Sequence, residues 1–212
     1  VASLLRDAKG LIGDKGVLWW QIEKILHFLK KEKKAPDYLL LENVDRLLLS
    51  PTPRPGETSF KGRDFAIILS SLRRYDYNVE WRVINAADYG FPQKRKRIFI
   101  FAFKNDSKIY KKFKKISSEE IIFHNGIIAK AFPCERKHKN KTQNLFACNR
   151  EIVKDRKKYM KKYSEGKFLN AGVMINGKVM EFEVTAHHDY SLDNDMPRTL
   201  GDIILPISQI SR

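Results

Sequence analysis

The sequence predicts an α/β core that closes on an antiparallel hairpin, spanning residues 1–103, followed by a mixed, β-containing region over residues 104–212. Three observations carry that expectation. Helical and strand periodicity alternate from residue 17 to residue 75. Two apolar strands at 79–84 and 97–103 have only a polar connection between them, too short for a crossover helix. From Lys104 onward the composition shifts to lysine with interspersed aromatics and little periodicity.

Taken in order, "VLWWQIEKILHFLK" at 17–30 places Leu18, Ile22, Ile25 or Leu26, and Leu29 on one helical face, which predicts a core-facing helix with Trp19 and Trp20 in the core. The run "KKEKK" and Pro36 end it. Tyr38–Leu41 reads as a short buried strand. Pro51, Pro53, Pro55 and Gly56 mark a loop over 50–62, and "RDFAIILSSLRRY" at 63–75 reads as a second amphipathic helix. "VEWRVI" and "RIFIFAF" are expected to pair antiparallel, and Asn176-Gly177 between β-prone runs signals a further hairpin.

Composition narrows the function. At 42% hydrophobic and 11% aromatic, 212 residues can fill a substantial core. An excess of 41 Lys+Arg over 25 Asp+Glu, net +16, points to a polyanionic partner such as nucleic acid. No apolar run approaches the ~18 residues that span a bilayer, and no signal peptide is evident, so a cytoplasmic protein is expected. Two cysteines, Cys134 and Cys148, fit a reducing compartment and are expected to stay unpaired. Cys134, His138 and Cys148 lack the spacing of a closed zinc site, and His187-His188-Asp189 reads as a polar loop, so no metal is expected.

Two stretches carry the chemistry. "YLLLENVDR" at 38–46 ends an apolar strand in Glu42 and Asn43, and a strand-end carboxylate calls for a partner or a ligand. "NAADYGFPQKRKR" at 85–97 places D-Y-G and then Q-x-R-x-R on the lead-in to the second hairpin strand, where alternation would point Gln93, Arg95 and Arg97 one way and the lysines the other. With "GVLWW" at 16–20 before them, these stretches resemble the middle third of a DNA (cytosine-5) methyltransferase over roughly residues 1–103.

The resemblance implies a Rossmann-like methyltransferase core followed by a target recognition domain. It implies methyl transfer from S-adenosylmethionine to C5 of a flipped cytosine in double-stranded DNA, as in bacterial or phage restriction-modification, with the protein at the nucleoid. Glu42 would face the ring N3 and exocyclic amine, Arg97 the cytosine O2, and Arg95 a nearby phosphate. Asn43 and Gln93 would belong to the nucleic-acid site, and Leu18 would contact the methyl donor. A tRNA cytosine-5 methyltransferase and a noncatalytic nucleic-acid-binding module are the alternatives. The family's glycine-bearing donor motif and its Pro-Cys nucleophile are absent from these residues, so a fragment truncated at both ends, inactive alone, is expected. "FPCE" at 132–135 lies after the Q-x-R-x-R element, and Cys134 reads as a small buried residue.

Overall fold

The computed structural model describes residues 17–49, 62–137, 143–147 and 168–187. The sequence-predicted loop at 50–62 lies outside them except for Gly62. Elements follow in the order α1 (Val17–Lys31), β1 (Tyr38–Val44), α2 (Arg63–Arg74), β2 (Tyr77–Asn85), β3 (Lys96–Lys104), α3 (Lys108–Phe113), α4 (Ser118–Glu120), α5 (Ile127–Ala131), β4 (Cys134–Arg136), β5 (Gln143–Ala147), β6 (Ala171–Ile175), β7 (Lys178–Phe182) and β8 (Val184–Ala186). One-turn 3-10 helices follow β1 and β2, and a π turn at Ile121–Asn125 joins α4 to α5. The result is a mixed α/β structure whose described strand pairs are all antiparallel.

The main sheet has six strands in the order β1-β3-β2-β6-β7-β5, and β4 pairs with β8 beside it. The expected hairpin is present, with Trp81 opposite Ile100 and Ile84 opposite Arg97. Because β1 and β2 both run against β3, they share a direction, and their carboxyl ends lie at the same pole of the sheet. The β6–β7 hairpin also forms at the predicted turn, where Asn176 (φ 51°) and Gly177 (φ 81°) take left-handed conformations in succession, as a tight turn matched to strand twist requires. β6 pairs with β2, so the sheet is continuous across the change of composition at Lys104.

Helices α1 and α2 cover one face. Phe65, Leu69, Leu72, Val79 and Trp81 are fully buried there, each such side chain contributing roughly 1.5–3 kcal/mol of transfer free energy. On the opposite face Phe103, Phe113, Ile121, Ile122, Val173 and Phe182 pack together. β3 serves both cores, since Ile98, Ile100 and Ala102 alternate with Phe99, Phe101 and Phe103.

Two expectations are corrected. Helix α1 buries Trp19 and Leu26, with Ile22 and Leu29 partly covered, and leaves Leu18 72% and Ile25 57% exposed. The helix is rolled so that the larger indole takes the core, because the driving force scales with apolar area. β1 is not a buried strand either. Among the described residues it is the sheet edge, with Leu39 and Leu41 packed under the helices while Tyr38, Leu40 and Val44 are exposed on the other face. The second layer covers β2, β3 and β6, and Leu40 at 68% exposure lies beyond it. No described helix is long and apolar enough to cross a membrane.

Candidate functional site

The pole where β1 and β2 end collects the residues singled out in the sequence. Glu42 sits two residues before the end of β1, opposite Phe99, and Arg97 lies diagonally across on the same face of β3. Their side chains meet, with Arg97 Nε 2.8 Å from Glu42 Oε1. Arg97 also donates through Nη1 to its neighbour's carbonyl, Lys96 O, at 2.8 Å. The carboxylate remains half exposed, so a base edge could reach it. Asn43 turns back on the chain, its Oδ1 accepting from the Val44 amide at 2.8 Å, which steadies the strand end.

The connection from β2 to β3 is folded tightly enough to present its basic run. Gly90, at φ 82°, ends the 3-10 turn Ala86–Tyr89, and the Ala86 amide donates to Arg95 O at 3.2 Å, closing the loop. Within it the Gln93 amide donates to Phe91 O and the Arg95 amide to Gln93 O. These local turns mean that β3 begins only at Lys96, so strand alternation does not sort residues 93–95. Gln93, Lys94, Arg95, Lys96 and Arg97 all line one open depression of about 500 Å³, with Asp45 as the acidic member. Lysines and arginines therefore border the same depression, and the sorting expected from strand alternation does not extend to residues 93–95. Four cations line it, one of them paired with Glu42, against the single carboxylate of Asp45, a balance that suits an anionic ligand such as a phosphate.

Leu18 stands in the first turn of α1. A helix of fifteen residues is about 22 Å long, close to the length of β1, and the short connection between them turns the chain back. The amino end of α1 is thus carried toward the Glu42 pole. Leu18 offers an exposed apolar side chain there.

Sequence reasoning missed Glu80 and Arg82, both fully buried on β2. Glu80 Oε2 accepts from the amides of Ile127 (2.8 Å) and Ile128 (3.2 Å), and Oε1 from Ala129 (3.1 Å). Arg82 donates to Phe132 O at 2.6 Å and to Ile122 O. The two side chains tie residues 122–132 to the sheet. A Cβ on Gly126 would lie 2.3 Å from Glu80 Oε1, so glycine is needed at the approach. Burial pushes the Glu80 carboxyl up, with the three amides and Arg82 pulling the other way. The clamp borders the site, since Phe132 stacks near Phe99, the register partner of Glu42. The available signal was an E-x-R pair inside an apolar strand, which alternation alone assigns to solvent.

Cys134 is free and buried, its thiol pushed up by burial and directed at Ile122 O. Cys148 lies outside the described residues, as do His138, His188 and Asp189. Among the described residues no group of His, Cys, Asp and Glu is placed to hold a metal ion.

Comparison with known proteins gives this arrangement a family. The family model described as C-5 cytosine-specific DNA methylase matches residues 2–197. The chain is 41% identical over 204 residues to the type II methyltransferase M.Sau3AI of Staphylococcus aureus, covering 96% of this chain and 44% of that protein. It is 37% identical over 108 residues to M.NgoBI of Neisseria gonorrhoeae, covering 51% of this chain and 30% of the relative. It is 31% identical over 124 residues to M.MthTI of Methanothermobacter thermautotrophicus, covering 58% and 35%. The chain therefore spans less than half the length of these curated relatives. With the family model matching almost its whole length, the chain belongs to the C-5 cytosine-specific DNA methylase family.

Proposed function

We propose that these residues form part of a DNA cytosine-5 methyltransferase that moves a methyl group from S-adenosylmethionine to C5 of a flipped cytosine in double-stranded DNA. The carrying observation is the Glu42–Arg97 pair at the carboxyl end of β1, beside the basic loop 93–97. Addition of a thiolate to C6 of cytosine pushes negative charge into the ring. A carboxyl group at N3 and the exocyclic amine both recognises cytosine and stabilises that charge, and we assign this role to Glu42. Arg97, fixed by its bonds to Glu42 and Lys96 O, presents the rest of its guanidinium fork to the cytosine O2. Arg95 and Gln93 hold the backbone beside the extruded nucleotide, and Asn43 keeps the end of β1 rigid.

S-adenosylmethionine supplies the methyl group when bound, and Leu18 is the described residue we assign to it. The catalytic portion is proposed to be a Rossmann-like core through residue 103, with the DNA-reading portion from 104. The buried thiol of Cys134 does not suit a nucleophile, which needs access and a lowered pKa. The test is Glu42→Gln in a polypeptide that carries these residues together with a family Pro-Cys segment. Turnover should fall by about 10²–10³ while affinity for target duplex changes only a few-fold. Unchanged turnover would remove Glu42 from the chemistry.

A further inference from the structure

The strand directions that gather Glu42 and Arg97 at one pole also gather a second basic surface at the other. Three segments distant in sequence arrive there. The end of α1 delivers Lys33 and Lys34, the chain leaving β3 delivers α3 with Lys108, Lys111 and Lys112, and the β6–β7 turn delivers Lys178. All six lysines are exposed. Hydrogen bonds link these segments and the strands beside them. Lys104 N–H donates to Asp37 O at 2.9 Å, Tyr110 Oη donates to Asn176 Oδ1 at 3.0 Å, and Asn176 N–H donates to Asn78 Oδ1 at 2.8 Å.

The lysines are displayed by packing. In α3, Phe113 is buried and Ile109 packs beside it, so Lys108, Lys111 and Lys112 take the solvent side. None of the six makes an ion pair with a described residue, whereas nearby Lys30 is paired with Asp76 at 2.6 Å. Glu32, Asp37 and Asp106 stand at the same pole and only partly offset the charge. A single lysine stripe is most simply a solvated face. Three hydrogen-bonded segments that converge cations with no ion pair among the described residues are a surface, and a polyanion relieves the repulsion among them.

This surface cannot serve the phosphates next to the flipped base. β3 separates the poles by nine residues, about 30 Å at ~3.3 Å per residue, which is beyond the reach of any lysine side chain. The geometry points to a second, sequence-independent nucleic-acid-binding surface that grips duplex phosphates away from the base site. It rests on the DNA reading above for the choice of polyanion. Its consequence is that the protein holds DNA at two places, one of them indifferent to cytosine.

The experiment uses the 212-residue chain and a duplex without cytosine, poly(dA)·poly(dT), with affinity measured from 50 to 200 mM salt. Lys108→Gln/Lys111→Gln/Lys112→Gln should lower the slope of log affinity against log salt by about 2–3, since each phosphate contact contributes ~0.9. Lys33→Gln/Lys34→Gln, at a separate segment, should lower it by about 1–2, so the conclusion does not hang on one variant's folding. Thermal melts of both should match the parent. Unchanged slopes in both variants overturn the inference. Weakened binding to phosphatidylserine vesicles with DNA binding intact also overturns it, in favour of a membrane surface. Arg95→Ala separates the two readings when a cytosine-containing target duplex is measured beside poly(dA)·poly(dT): lysine effects on both duplexes with no Arg95 effect on the target duplex support this surface and count against the base site.

Discussion

Two glutamate–arginine pairs lie on the same face of this sheet and have opposite fates. On β2, Glu80 and Arg82 are sealed under residues 122–132 and bond to their backbone, Glu80 through three amides and Arg82 through two carbonyls. On β1 and β3, Glu42 and Arg97 hold each other at the edge of the described sheet, beyond the described covering layer. Residue type is the same in both, so cover decides the role. Under cover, the charges must be satisfied by the protein and become rigid supports. At the edge, an ion pair is worth little to the fold and remains available to a ligand.

The largest effect that could break this contrast is on stability at the covered pair. Arg82→Ala leaves the Ile122 and Phe132 carbonyls without their donor and Glu80 without its cation, and should cost about 3–5 kcal/mol in urea unfolding. Glu42→Gln should cost under about 1 kcal/mol by the same measurement. Equal costs would mean that the edge pair is also structural.

Salt dependence sharpens the contrast within the open site. Arg95→Ala should reduce the salt slope of DNA binding by about 1 if Arg95 touches a phosphate. Arg97→Ala should reduce it less and lower turnover more, because Arg97 is held against Glu42 and Lys96 O. Matching slopes would refute that division.

A second buried carboxyl extends the covered class to pH. Burial raises Glu181 from 4.5 to about 8, opposed by the Leu169 amide at 2.7 Å. The folded state therefore favours the protonated form, and the associated stability is fully present below about 4.5 and falls away as pH rises toward about 8. Glu80 shifts in the same direction. Urea midpoints from pH 5 to 8.5 should decline, and Glu181→Gln should flatten much of the decline. A parent midpoint that rises across this range would contradict it.

The smallest effect is expected at Cys134. Cys134→Ser in a polypeptide that also carries the Pro-Cys segment should leave methylation within a few-fold, with a modest loss of stability from a hydroxyl in an apolar setting. Loss of activity would make Cys134 the nucleophile and undo the assignment of the site.

Local pattern determined much of this protein. The limits of α1 and α2, the β2–β3 hairpin and the turn at Asn176-Gly177 were all legible, because periodicity and turn chemistry are properties of short segments. Tertiary structure decided what lies over each segment. It rolled α1 onto Trp19 and left Leu18 in the open, placed β1 at the edge of the described strands, folded the 93–95 loop so that lysines and arginines border one depression, and sealed Glu80 and Arg82 beneath a helix they hold in place. Alternation along a strand says which residues share a face, whereas covering that face takes residues forty or more positions away, and no local pattern encodes where those will pack.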